Sequence, residues 1–179
     1  MGVDAFDWAD ELSWLDLALV QGLSVAEVEA ALAVRHAAAG AGDLFHAEEL
    51  SRGHPDADVV RIFTEGGWVV VVSAEAFLFE ESGRIERLSS AGRAIGLHYD
   101  VLAHAAFSFA EAGRLIRSFD PVLVGEAGWG EPLVAEKHLP FGAHAVASAL
   151  ALAESVSGVR LSEFRLFEER HRMVVLSPS

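Results

Sequence analysis

The chain has 179 residues, of which 52% are hydrophobic and 22% are charged, and its formal net charge is −14. This composition predicts one folded domain and excludes a disordered chain, and the excess of acidic side chains argues against binding to nucleic acid phosphates. The sequence contains no cysteine, which excludes disulfide bonds, cysteine-ligated zinc, iron–sulfur clusters and thiol catalysis.

The N-terminal third is predicted to contain an acidic segment, a strand and a helix. Residues 1–13 combine acidic and aromatic side chains and are predicted to form an arm or a short helix. Residues 14–20 alternate leucine with other residues, which is typical of a strand. Ser24 and Glu27 have the spacing of a capping box, and this predicts a helix over residues 24–36.

The next region is predicted to contain a connection, a second helix and a hairpin. Residues 37–42 consist of alanine and glycine and are interpreted as a connection, and residues 43–51 are predicted to form a weak helix. Residues 59–64 and 68–73 are rich in β-branched side chains and flank a Glu-Gly-Gly turn, which favours a hairpin. Residues 76–79 are a candidate continuation of the second strand.

The second half of the sheet is predicted from three short segments and a long irregular one. Residues 84–90 are interpreted as a short helix or turn. Residues 92–99, 103–110 and 114–119 have the composition of strands. Residues 122–140 contain several glycines and prolines and are longer than an ordinary connection, so this loop is either functional or packed down by its own side chains.

The C-terminal region predicts a buried helix, a short helix and a last weak strand. Residues 141–156 are rich in alanine and nearly free of charge, and Gly158 is the expected end of this helix. Residues 162–168 are predicted to be helical. The whole chain, residues 1–179, is therefore predicted to be a single α+β domain. Its mostly antiparallel sheet has five or six strands, and the N-terminal helix and the alanine-rich C-terminal helix pack on one face.

The beginning of the chain lacks the features of a secretory signal. Its first twenty residues contain five acidic residues and no lysine or arginine. The longest weakly charged stretch, residues 139–153, is shorter than a membrane span. Together with the absence of cysteine, these features predict a cytoplasmic protein that does not bind membranes.

The familiar catalytic and cofactor motifs are absent from the sequence. It has no phosphate-binding loop, no dinucleotide-binding glycine motif, no nucleophile elbow and no His-Glu-x-x-His helix. His54 and Asp56 could supply two metal ligands, but they lie in an ordinary proline loop. We therefore predict no metal, no cofactor and no catalytic residue.

One candidate site follows from the predicted hairpin between residues 92–99 and 103–110. If residues 100–102 form its turn, His98 lies opposite His104, with Tyr99 and Asp100 beside them. Two facing imidazoles could bind a metal, relay a proton or respond to pH. The alternative is that the small residues on this face make room for a helix and that the histidines only border the contact.

Three tryptophans are candidate binding residues. Trp129 lies between two glycines in the long loop and is either a plug that holds the loop down or an exposed binding anchor. Trp8 and Trp14 belong to the acidic N-terminal segment and either dock on the domain or bind a partner.

Five short motifs occur in chain order at Gly22–Glu27, Gly66–Trp68, Phe107–Arg114, Ser118–Pro121 and Ser157–Leu161. Together they resemble the uncharacterised family DUF6461, which is seen mainly in actinobacteria. The resemblance implies the architecture above but no site residues, because the family has no assigned activity. The chain departs from the family at residues 99–102, where Tyr-Asp-Val-Leu replaces a turn resembling Trp-Asn-Val-Asn.

These observations favour a non-enzymatic, acidic protein-binding module, acting as a regulatory or immunity-type partner of a basic protein. Its binding residues would be Trp129, Trp8 and Trp14. The alternative is a small-molecule-binding domain or enzyme with a site between the sheet and residues 122–140, using His98 and His104. A third interpretation is a homo-oligomer that pairs through a sheet edge or the N-terminal arm.

Overall fold

The computed structural model describes residues 3–33, 35–74, 77–123 and 128–177. The strands in these residues are β1 (Leu15–Gln21), β2 (Arg35–Gly42), β3 (Asp58–Glu65), β4 (Trp68–Ser73), β5 (Arg93–Tyr99), β6 (Ala105–Glu111), β7 (Arg114–Phe119) and β8 (His171–Ser177). The α-helices are α1 (Val25–Leu32), α2 (Leu44–Arg52), α3 (Ser82–Leu88), α4 (Ala145–Ser157) and α5 (Glu163–Phe167). Two 3-10 helices cover Val3–Glu11 and Ala135–His138.

The strands form one antiparallel sheet in the order β2-β8-β3-β4-β1-β5-β6-β7. The first strand of the chain therefore lies near the middle, between β4 and β5. The predicted α+β class and antiparallel sheet are confirmed. The predicted number of five or six strands is wrong, because the described residues form eight.

The strand that the sequence did not indicate is β2. Residues 37–42 were expected to be a connection because alanine and glycine show no alternation of apolar and polar side chains. The structure pairs this segment with β8, with a bulge between Ala38 and Ala41. β2 lies at the sheet edge and most of it is exposed. Its formation therefore depends on pairing with β8, which follows more than a hundred residues later.

The central strands of the sheet are buried on both faces. Leu15, Leu17 and Leu19 point towards α4 and the first 3-10 helix, whereas Ala18 and Val20 point towards α1 and α3. The continuous valines of β4 divide between the faces in the same way. Because α1 and α4 lie on opposite faces, the prediction that they share one face is wrong. A central strand that is apolar on both sides requires cover on both.

The N-terminal acidic segment is a 3-10 helix packed against α4. The Asp10 carboxylate accepts a hydrogen bond from the Ala147 N–H at 3.2 Å and lies 2.8 Å from His144 Nδ1. Asp10 thus caps the beginning of α4, which has no side-chain cap of its own. This segment is part of the folded domain.

Several local signals in the sequence are confirmed. The Ser24 hydroxyl accepts the Glu27 N–H at 3.3 Å, and the Glu27 carboxylate accepts the Ser24 N–H at 2.8 Å. α1 ends at Leu32, earlier than the expected residue 36, because Ala33 is extended. Gly158 has φ of +75° and ends α4.

Other expectations need correction. Residues 77–79 do not continue β4, and Ala76 lies outside the described residues. Of the long loop predicted at residues 122–140, residues 124–127 also lie outside the described ranges. No helix in the described ranges is long and apolar enough to cross a bilayer.

The register of β5 and β6 differs from the predicted one by two residues. The structure pairs Tyr99 with Ala105 and His98 with Ala106, so His104 lies in the connecting loop. The Asp100 carboxylate accepts hydrogen bonds from the N–H groups of Leu102 at 2.8 Å and of His104 at 3.1 Å. These bonds favour a five-residue loop over the expected turn of three. A shift of two residues preserves the predicted faces of both strands.

Candidate functional site

The long loop is held against β7 by a buried arginine. Arg117 is 2% exposed, and its Nε and Nη2 atoms donate to the Glu136 carboxylate at 3.0 and 2.6 Å. Its Nη1 donates to the carbonyl oxygens of Trp129 and Gly130, both at 3.1 Å. The guanidinium lies 4.6 Å from the ring centre of Phe119. Arg117 therefore joins the strand to two separate parts of the loop.

The backbone of Trp129 adds to the outer edge of β7. Its N–H donates to the Ser118 carbonyl at 2.7 Å, and the Ser118 N–H donates to its carbonyl at 3.0 Å. Gly130 has φ of +82°, and a Cβ atom there would lie 2.0 Å from the Ile116 carbonyl oxygen. Glycine at this position thus permits the loop to approach the strand so closely.

Although its backbone is held in place, Trp129 is 57% exposed. Of the two interpretations of Trp129, the plug is therefore wrong. Arg117 and the backbone bridge hold the loop instead, and the tryptophan ring is presented to solvent. Arg117 and Glu136 were not among the predicted site residues, although an arginine two positions before Phe119 on an edge strand was the available signal.

A cleft of about 370 Å³ lies beside β7 and the loop. Phe119 and Phe141 meet in it edge to face, with ring centres 5.2 Å apart, and Leu139 adds further apolar surface. Asp120 and Lys137 contribute charged groups of opposite sign. The cleft is therefore mainly apolar, with charges able to orient a bound group.

The second cluster of polar side chains is buried in the sheet. Asp16 of β1 and His98 of β5 are directly opposite, with 3.1 Å between Oδ1 and Nδ1, and neither side chain is exposed. The same carboxylate accepts the N–H groups of Leu78 at 2.9 Å and Phe79 at 3.1 Å. Burial raises the pKa of Asp16 to about 6, against the opposing effect of these hydrogen bonds.

The two histidines that were expected to face each other are separate. His98 is buried with Asp16, and its Nε2 atom has no hydrogen-bond partner within the described structure. His104 is exposed, and its Nδ1 lies 3.1 Å from Asp100 Oδ2. The prediction of facing imidazoles is therefore wrong. In the described ranges, no group of three histidine or acidic residues is placed to bind a metal.

The remaining candidate binding residues have structural contacts. Trp8 is half-buried, with its ring 5.9 Å from that of Phe167 in an edge-on contact, so it docks on the domain. Trp14 is half-buried immediately before β1. Tyr99 packs against the core beside α4, and the Asp100 side chain is used within its own loop. Trp129 is the most exposed of these three tryptophans.

These observations define an α+β domain with a two-sided antiparallel sheet and an aromatic surface at the β7 edge. Residues 6–132 match the family of unknown function DUF6461, and the chain belongs to this family. The match confirms the resemblance inferred from the five motifs; it includes Trp129 and ends before Glu136. No curated protein and no solved structure matches the chain.

Proposed function

We propose that the protein is a non-enzymatic protein-binding module. Its binding surface is the exposed Trp129 side chain at the β7 edge, which we call the Trp129 surface. A regulatory protein and an immunity-type inhibitor both act by binding of this kind. The proposal assigns no chemical step to the protein.

The exposed indole on a fixed backbone is the observation that carries this proposal. Trp129 is 57% exposed, although Arg117, Gly130 and Ser118 hold its backbone in place. A large aromatic side chain exposed in this way is costly in water and is a frequent centre of binding energy in interfaces. Because the backbone at Trp129 is already held by these contacts, this segment would lose little conformational entropy when a partner docks.

The charge of the chain supports a basic partner. The sequence has 27 acidic residues against 13 lysines and arginines, which leaves the net charge of −14. Such a charge attracts a basic protein over distances of about 10 Å at moderate salt and increases the association rate. The Trp129 surface would then provide the short-range contacts that slow dissociation.

The test compares two exposed aromatic residues at opposite edges of the sheet. The immobilised chain is used to capture proteins from a lysate of its source organism, and the affinity of the purified partner is then measured by titration calorimetry. Trp129→Ala is expected to weaken binding by roughly 30-fold, corresponding to about 2 kcal/mol for an interface anchor. Phe45→Ala is the matched control, because Phe45 on α2 is 60% exposed and far from β7.

Salt provides the second measurement in this experiment. Raising the salt concentration is expected to slow association much more than it changes dissociation, because charge attraction acts mainly before contact. Equal affinities for the Trp129→Ala and Phe45→Ala variants would contradict the proposed surface. A captured partner with net negative charge would contradict the proposed electrostatic attraction.

The cleft also favours a second candidate, a small-molecule-binding domain. Its volume of about 370 Å³ lies within the range of ligand pockets, and its walls are mainly apolar. Its described lining contains neither His98 nor His104, so this candidate lacks the acid–base groups once expected for it. Native mass spectrometry of the purified chain would reveal a retained ligand, and Leu139→Trp should expel it by filling the cleft.

A further inference from the structure

The buried carboxylate of Asp16 is covered by a short segment that it also holds in place. This segment, Phe77–Phe79, is called the strap below. Its two backbone N–H groups from Leu78 and Phe79 donate to Asp16, and the Phe77 ring lies 5.0 Å from the His98 ring. Leu78 and Phe79 are buried, whereas Phe77 is 56% exposed. The strap therefore separates the Asp16–His98 pair from solvent.

His98 is the titratable group whose charge acts on Asp16 in the described structure. The strap contributes backbone amides and apolar side chains, and β4, on the other side of β1, carries no charged side chain. Three charged groups on the helices of this face interact elsewhere, and one of them is Arg84 of α3, whose charge acts on Asp58. On α3, the Glu86 carboxylate accepts the Leu115 N–H, and on α1, Glu29 binds Arg172.

A carboxylate in this position loses its hydration when the strap closes. Two amides and one imidazole replace water around Asp16, and no arginine or lysine is bound to it in the described structure. The ionised Asp16 carboxylate is therefore less favourable under the closed strap than in water. When Asp16 is protonated, closing the strap has one charge fewer to bury.

We propose that the strap is a pH-dependent latch, which is closed more firmly when the Asp16–His98 pair holds an additional proton and opens more readily when the pair releases it. The latch presents Phe77 at the surface in its closed state. Opening would bring both Asp16 and His98 into contact with water.

The direction and size of the effect follow from linkage. Burial places the pKa of Asp16 at about 6 under the strap, against an ordinary value of 3.8 when the group is solvated. Protons therefore bind more strongly to the closed state, and the opening equilibrium rises with pH. From pH 5 to pH 8 the two pKa values correspond to an increase of about tenfold in the open fraction. From a pH below both values to a pH above both, the open fraction rises roughly a hundredfold.

A single cysteine can report this opening, because the natural sequence has none. In the Leu78→Cys variant, the rate of labelling by a disulfide reagent is divided by the rate for an unfolded peptide at the same pH. This protection is expected to fall about tenfold between pH 5 and pH 8. Adding Asp16→Asn should abolish the pH dependence, since the amide does not titrate, while its one oxygen can still accept the Phe79 N–H in place of Asp16 Oδ1.

The matched control is Val28→Cys, which is buried on the same side of the sheet and does not contact Asp16 in the described structure. Val28 is exposed by unfolding of the domain, so its protection should exceed that of Leu78→Cys at every pH. Equal protection of the two cysteines would show that Leu78 is exposed only by unfolding and would overturn the latch, as would a pH step in Leu78→Cys that persists with Asp16→Asn.

A measurement on the unmodified chain tests the pH-dependent latch if the cysteine variants do not fold. The carboxyl carbon of Asp16 can be followed by NMR as the pH is changed. A midpoint near 6 is expected, together with faster exchange of the Phe79 amide at higher pH after correction for the intrinsic rate. A midpoint close to 3.8 would overturn the proposal.

Discussion

Removal of the Arg117 side chain tests whether this residue holds the Trp129 surface in place. Arg117→Met keeps an apolar stem of similar length but leaves Glu136 without its cation and removes one donor from each of the Trp129 and Gly130 carbonyl oxygens. The exposed fractions of the paired side chains are only 3% for Arg117 and 12% for Glu136. Breaking such a pair on one side costs about 3–5 kcal/mol of unfolding free energy.

A double-mutant cycle separates the pair from the other contacts of Arg117. Glu136→Gln removes the charge and keeps an oxygen that can accept the Leu133 N–H. Arg117→Met combined with Glu136→Gln should cost at least about 1 kcal/mol less than the sum of the single changes, because the combined variant leaves no unpaired buried charge. Unfolding in urea, followed by fluorescence, gives each free energy and shows whether the slope stays constant.

A surface ion pair provides the comparison. Arg52 and Glu48 lie 3.8 Å apart on α2, with exposed fractions of 59% and 32%. Arg52→Met should change the unfolding free energy by less than about 0.5 kcal/mol. If Arg117→Met cost no more than Arg52→Met, or if the cycle showed simple additivity, the role assigned to Arg117 would be refuted.

Two further predictions concern the same loop and the buried pair. Gly130→Ala should lower the unfolding free energy by about 1–3 kcal/mol in the same urea assay, because the added Cβ would meet the Ile116 carbonyl and the φ of this residue is positive. The control is Gly83→Ala, which should be nearly neutral because a Cβ there meets no atom within 4 Å. Because folding raises the pKa of Asp16, its contribution to stability is complete below 3.8 and is lost as pH rises through 6. The unfolding free energy should therefore fall by about 1 kcal/mol from pH 5 to pH 8, relative to Asp16→Asn measured in parallel, and parallel curves would contradict this assignment.

Patterns within a few residues predicted much of the secondary structure. The Ser24–Glu27 capping box, the glycine turn between β3 and β4 and the glycine after α4 each depend on neighbouring residues, and each is present. The same local character explains the error at β2. Alanine and glycine have no preference strong enough to indicate a strand, and β2 forms by pairing with β8.

The candidate sites depended on contacts that sequence patterns do not specify. Asp16 and His98 are 82 positions apart, and Asp16 and Leu78 are 62 apart. Their meeting requires the sheet order, which places β1 beside β5. The predicted pairing of His98 with His104 was wrong for a local reason. The Asp100 hydrogen bonds lengthen the loop, and His104 therefore lies outside the strand.

The amino-acid sequence by itself determined the acidic charge, the absence of thiol chemistry, the α+β class and the family, because these follow from composition and short motifs. The tertiary structure decided which faces are covered, how Arg117 orders the loop around Trp129, and why Asp16 is buried. Those outcomes depend on which distant strands pair, and pairing is settled by burial of both sheet faces at once.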